Sequence, residues 1–262
     1  MLNWYLGTMG FSYKPWQGVF YPAGLAPRHY LSYYAECFNS VEMDTTFYGT
    51  PPIERVQRWA QATPAGFKFC PKTPRAITHE ALSLTHALPQ MKAFVDTMRH
   101  LESKLGAILI QFPPSFAIKE KAALQAFLGQ LPTDVRFTVE FRNRSWEREE
   151  TAVLLAQYNI CWCATDYIHL RKEVRQTTNF LYLRFIGPHG QFDTKTRERI
   201  DKTQDLKKWW GQIQTKQEYV NTIYGFFNND YAGYSPATCN KFKRVVGLNP
   251  TDIAIWQQGR LF

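Results

Sequence analysis

Short apolar runs recur along the chain, separated by longer amphipathic stretches. The runs at residues 5–9, 40–48, 67–72, 107–112, 136–142, 160–166, 180–186 and 222–228 predict eight strands. The stretches at 27–38, 53–61, 89–105, 119–130, 149–158, 201–214 and 236–246 carry helical spacing of apolar residues. Strands that alternate with helices imply parallel crossover units, and eight of them predict a closed (β/α)8 TIM-type barrel. Prolines punctuate the pattern: Pro64 and Pro132 stand just before strands three and five, and Pro113-Pro114 ends strand four. No repeat and no Gly-, Ser- or Pro-rich linker divides the sequence, so residues 1–262 are expected to form one domain.

Within the strands the pattern has period two, which separates an outward face toward helices from an inward face toward the barrel axis. Phe137, Val139 and Phe141 predict the outward face of strand five, leaving Thr138, Glu140 and Arg142 inward. By the same reasoning Val41 and Met43 oppose Glu42 and Asp44. Phe67 and Phe69 oppose Lys68 and Lys72, and Leu181, Leu183 and Phe185 oppose Tyr182 and Arg184. The inward set thus holds Glu42, Asp44, Glu140 and Asp166 against Lys68, Lys72, Arg142 and Arg184. Such charges must pair or meet a ligand, because an unpaired buried charge costs several kcal/mol. The depths of Asp44 and Lys68 depend on strand register. Cys161 and Cys163 are expected to face the helices.

Barrel active sites lie at the C-terminal ends of the strands. Glu42, Lys72, Gln111, Glu140, Arg142, Asp166, Arg184, Asn228 and Asn229 all fall late in a strand or just beyond one. Two readings fit them: an active site at the mouth, or an ion-pair network that only fills the interior.

Composition narrows the classes. An apolar share of 45% fits a globular chain, and no apolar run is long enough for a bilayer, so no membrane partner is expected. Residues 1–7 lack the basic start and apolar run of a secretion signal. Five cysteines without framework spacing fit a reducing cytoplasm. A net charge of +9 favours anionic partners, either a small anionic substrate or nucleic acid, without choosing between them. Nothing in the sequence speaks to oligomeric state.

Particular motifs add to this frame. Gly7-Thr8-Met9-Gly10-Phe11-Ser12-Tyr13-Lys14-Pro15-Trp16 is followed by Gly18-Val19-Phe20-Tyr21-Pro22, Tyr33-Tyr34-Ala35, Val41-Glu42 and Thr46-Phe47-Tyr48. Further along stand Phe67-Lys68-Phe69, Pro71-Lys72, Thr78-His79, Gln111-Phe112-Pro113-Pro114, Glu140-Phe141-Arg142-Asn143, Ser145-Trp146 and Phe227-Asn228-Asn229. In this combination the sequence resembles the YecE-like family, domain of unknown function 72, from near residue 5 to near 246. The resemblance implies a TIM-type barrel and assigns no reaction. The chain departs from the family pattern at Met9, where Ser is usual, after Arg184, where a His-Gly pair is common, and at Asp230.

Several chemistries suit the mouth residues. Lys72, Arg142 and Arg184 suit a phosphate or carboxylate, with Glu42 or Glu140 as proton acceptor and Asn228 and Asn229 orienting the substrate. Glu42 and Glu140 as an acid–base pair, with Trp16, Tyr48 and Trp146 holding a sugar ring, would suit a glycoside hydrolase. The neighbouring cations argue against a general acid there. His79 is a candidate for substrate contact, and His189 also falls near the mouth. Zinc would call for more histidines than these, whereas Mg²⁺ on Glu42, Glu140 and Asp166 stays open. No glycine-rich phosphate loop or dinucleotide fingerprint occurs, so the cofactor is unassigned. A non-catalytic binding barrel is the remaining alternative.

Overall fold

The computed structural model describes residues 2–81 and 83–251. Its strands are β1 (Asn3–Met9), β2 (Ser40–Met43), β3 (Lys68–Pro71), β4 (Ile108–Phe112), β5 (Phe137–Phe141), β6 (Cys161–Trp162), β7 (Ala164–Asp166), β8 (Phe180–Phe185) and β9 (Thr222–Phe227). All strand pairs are parallel. The hydrogen-bonded orders are β3-β2-β1-β9-β8-β7 and β4-β5-β6.

Two joints close these ladders into a (β/α)8 barrel. One is a bridge from Phe69 to Leu105 and from Lys72 to Leu109, which links β3 to β4. The other is the sixth barrel strand, broken at Cys163 so that β6 pairs with β5 and β7 pairs with β8. The expected strand at 160–166 is therefore two short ladders facing different neighbours.

Outside the barrel run α1 (Tyr30–Cys37), α2 (Ile53–Gln61), α3 (Arg75–Thr78), α4 (Leu84–Met98), α5 (Lys121–Leu128), α6 (Glu149–Gln157), α7 (Thr203–Gln214), α8 (Asn229–Ala232) and α9 (Ser235–Val245). Helix α4 starts five residues before the expected Pro89. Ser83 caps it by accepting the His86 N–H, and Pro89 is carried inside the helix. The strand expected at 40–48 stops at Met43. Thr46 Oγ1 donates to the carbonyls of Met43 (2.7 Å) and Lys72 (2.6 Å), holding residues 44–48 in a tight 3-10 turn.

The two faces of the strands have different cores. Val41, Met43, Phe67, Phe69, Phe137, Val139, Phe141, Leu181, Leu183 and Phe185 pack against the helices, as the alternation predicts. The barrel interior holds Met9, Cys70, Leu109, Cys161, Cys163, Tyr182, Tyr224 and Phe226. Cys161 and Cys163 thus face inward, contrary to expectation. No helix among the described residues is long and apolar enough to cross a membrane.

At the β1–β2 seam a glycine is required. A Cβ on Gly7 would lie 1.9 Å from the Ser40 carbonyl oxygen and 2.7 Å from the Tyr34 hydroxyl. That buried hydroxyl accepts the Thr8 N–H at 2.8 Å and donates to the Ser40 carbonyl at 3.0 Å, tying α1 to both strands. Gly7→Ala must push the strands apart. A loss of about 1–3 kcal/mol or more is expected, read as a lower urea midpoint with unchanged slope. An unaltered midpoint would show that the seam yields freely.

Candidate active site

Arg184 stands near the end of β8 and reaches across the interior. Its Nε and Nη2 form a fork on Glu42 of β2, with Nε to Oε2 at 2.9 Å and Nη2 to Oε1 at 2.7 Å. Its Nη1 donates to Glu140 Oε2 of β5, and Arg142 Nε donates to the other oxygen of Glu140. Tyr182, two residues before Arg184 and so on the same face, donates its hydroxyl to Glu42 at 2.8 Å. Glu42, Glu140 and Arg184 are 0%, 1% and 3% exposed. The ion-pair network and the mouth therefore occupy successive depths of one structure.

The two carboxylates are driven apart electrostatically. Burial raises Glu42 to about 7, against the pull of Arg184 and with help from Asp44. Burial acts upward on Glu140 as well, but Arg142, Arg184 and Lys72 together outweigh it and hold that carboxyl at about 2. Near neutral pH, Glu140 is fully ionised while Glu42 titrates.

Above this floor lies a half-exposed rim. Lys72 follows β3, and its ammonium sits 4.0 Å from the centre of the Phe47 ring. No carboxylate of a described residue lies within 4.0 Å of it. Burial and the neighbouring charge of Arg184 lower its pKa. The Arg142 guanidinium stacks over Tyr167 at 4.4 Å and spends only its Nε on Glu140. Asp44 approaches Arg184 at 3.7 Å, and its inward oxygen has no hydrogen-bond partner. His79 lies edge-on to Phe47, with Nδ1 2.7 Å from the Thr78 hydroxyl. Burial, then Lys72, Arg75 and Arg142, lower its pKa, so the imidazole is neutral near pH 7. Gln111 is half-buried and paired in register with Glu140, on the same inward face as Leu109. Tyr48 stands at the edge, 89% exposed.

Other expected site residues do not join this group. Asp166 shares the face of Ala164, which packs outward. Its Oδ2 accepts from Trp209 Nε1 (2.8 Å) and the Tyr231 hydroxyl (2.9 Å), and Lys172 holds its Oδ1 at 2.6 Å. Glu42, Glu140 and Asp166 therefore do not assemble as a common set of Mg²⁺ ligands. Trp16 is fully buried among Tyr13, Phe20 and Tyr234 in the first loop. Trp146 is fully buried between Phe116 and Phe141 outside β5. Neither offers a face to a sugar. Asn228 caps α8 by accepting the Asp230 N–H, and Asn229 accepts from Ser235 to orient α9. Their side-chain oxygens thus serve the chain turn after β9. Lys68 lies at the opposite end of the barrel, where its Nζ donates to the Ser103 carbonyl.

A family model described as "Protein of unknown function DUF72" matches residues 5–259. The chain belongs to the DUF72 family. Among curated DUF72 relatives it is 37% identical to UPF0759 protein YecE of Escherichia coli K12 over 125 residues, 46% of each chain. It is 33% identical to UPF0759 protein YunF of Bacillus subtilis over 132 residues, 48% of this chain and 47% of the relative. The chain therefore matches about half the length of these curated relatives. A DUF72 crystal structure from Thermotoga maritima aligns with TM-score 0.77 and 29% identity over 93% of this chain and 99% of its own. One from Enterococcus faecalis aligns with TM-score 0.76 and 23% identity over 95% and 99%. These structures bear out the barrel.

Relative to the sequence-based list, this DUF72 barrel adds Tyr13, Phe47, Tyr167 and Asp230 to the mouth. Burial raises the Tyr13 hydroxyl pKa, reinforced by Asp44, Glu42 and Asp230, and the hydroxyl donates to the Met9 carbonyl. Asp230 is almost fully buried and accepts the Gly190 N–H at 3.0 Å. Tyr13, Phe47 and Tyr167 sit in loops or turns and Asp230 in the one-turn helix α8, where no periodicity marks orientation. Alternation gives Tyr182 its inward face, but nothing in that pattern names its carboxylate partner.

Proposed function

We propose that the chain is an enzyme that binds a small phosphate- or carboxylate-bearing substrate between Lys72 and Arg142 and moves a proton on it. One observation carries this reading. Lys72 Nζ and the terminal nitrogens of Arg142 are cations held in place at the mouth, and no carboxylate among the described residues occupies them. A purely structural network would have neutralised them. Neutral His79, whose Nε2 bonds to no described residue, is the rim group best suited to accept the proton. The expected catalytic pair then acts from beneath. Glu140 anchors Arg142 and Arg184, and Glu42 sets the charge beside Asp44.

The buried tryptophans weaken the glycoside hydrolase reading. The net charge of +9 supports a second reading, a nucleic acid or a fragment of one at the same mouth. Five free, buried cysteines support a cytoplasmic setting, and we read residues 1–262 as one domain.

Native mass spectrometry of protein purified under mild conditions tests the main reading. The unmutated chain should retain an anionic compound, and Lys72→Met should lose it at least tenfold with little change in melting temperature. Retention of an uncharged compound by both proteins would sink the proposal. Salt-sensitive capture of RNA or DNA by the mouth would favour the second reading.

A further inference from the structure

At the N-terminal end of the barrel, opposite the mouth, lies a cavity of about 480 Å³, within the range of small-molecule sites. Lys68 and Arg136 line it. Neither has a carboxylate of a described residue within 4.0 Å, and each is positioned by neutral acceptors instead. Lys68 Nζ donates to the Ser103 carbonyl. Arg136 Nη1 donates to Thr222 Oγ1 at 3.3 Å and to the Tyr224 hydroxyl at 3.2 Å, while its guanidinium lies 5.2 Å from the Phe180 ring. Its Nε and Nη2 make no bond to a described residue.

The acids nearby do not neutralise this pair. Asp134 is engaged by Arg99, at 2.8 and 3.0 Å, and Glu102 is exposed at the cavity edge. Two like charges held on one cavity repel unless an anion joins them, and burial with the charge of Arg136 already lowers the Lys68 pKa. Beside them Tyr5 and Tyr224 stack at 5.4 Å with planes 20° apart, giving the cavity an aromatic wall.

We propose that this cavity is a second ligand site, separate from the mouth, in which Lys68 and Arg136 bind the phosphate group of a small phosphorylated molecule. The cations meet the phosphate oxygens, and the tyrosine pair borders the rest of the ligand. The site does not depend on the reaction proposed for the mouth, because it shares no residue with it.

The test uses inorganic phosphate, with acetate as a second arm, at constant ionic strength. Phosphorus NMR line broadening reads binding. Binding is read in the Lys72→Met background, which removes the rim lysine of the mouth: there phosphate should still bind, and adding Lys68→Met or Arg136→Met should weaken it at least tenfold. In that background, unchanged affinity after the Lys68 and Arg136 changes, absence of phosphate binding, or tighter binding of acetate would each overturn the proposal. Should either cavity variant fail to fold, acetylation footprinting of the unmutated protein decides. Phosphate should slow modification of Lys68, and no protection of Lys68 overturns the site.

Discussion

Arg184→Met should cost more stability than any other single substitution at the mouth. The change leaves Glu42 with only the Tyr182 hydroxyl, and Glu140 with Arg142 and the long contact from the Cys163 thiol, both almost fully shielded from water. Removing one partner of a buried ion pair costs about 3–5 kcal/mol, and here two carboxylates lose the same partner. With about 2–4 °C per kcal/mol for a domain near this size, the melting temperature should fall by roughly 10 °C or more. Arg184→Lys should recover only part of the loss, because an ammonium cannot fork onto Glu42 while also reaching Glu140. Without the guanidinium both carboxyls hold their protons more tightly in the folded state. The deficit should therefore grow as pH rises from 5 to 8. Thermal melts at those two pH values check this, and a variant as stable as the parent at pH 8 would remove Arg184 from the centre of the structure.

The same substitution at the two glutamates should have opposite pH signatures. Glu140 is held at about 2 against an ordinary 4.5. Its contribution is present above about 4.5 and is lost as pH falls toward 2. At about 1.4 kcal/mol per pH unit that is roughly 3 kcal/mol. Glu42 is raised from an ordinary 4.5 to about 7. Its contribution is complete below about 4.5 and is lost as pH rises to 7, again by roughly 3 kcal/mol. Glu140→Gln should accordingly destabilise the chain by about 3 kcal/mol at pH 7 and flatten the acid limb. Glu42→Gln should flatten the limb between pH 4.5 and 7. Urea unfolding across pH 3–8 distinguishes them, and parallel profiles for the two variants would show that their environments do not differ in this way.

Alternation made the buried network legible before any coordinates. On β5 the sequence Phe137-Thr138-Val139-Glu140-Phe141 contrasts at every step, so Glu140 and its counterparts on β2 and β8 could be assigned inward. Strand six lacks that contrast. Cys161, Trp162, Cys163 and Ala164 are all apolar, and a shift of one residue exchanges the faces. This single shift accounts for both errors there: the cysteines face the barrel axis and Asp166 faces α7. The rim was harder to read, because Phe47, His79 and Tyr167 lie beyond the strand ends, where turn geometry rather than period sets direction. Trp16 and Trp146 stand in such segments too, and their large apolar surface drew them into the helix layer. The charge pair at the far end was visible only as Lys68 on an inward face. Its depth, and the presence of Arg136 beside it, depended on strand register.

The single guanidinium shared by β2, β5 and β8 also bears on how the chain comes to fold. Glu42 and Arg184 are separated by 142 residues. At about 5–20 residues per second, Glu42 leaves the ribosome on the order of ten seconds before its counterion is made. Until then a partial barrel of the earlier strands would have to line its interior with carboxylates that lack Arg184. Such a half-barrel would stay open and hydrated until β8 brings Arg184 and β9 pairs with both β1 and β8 to close the ring.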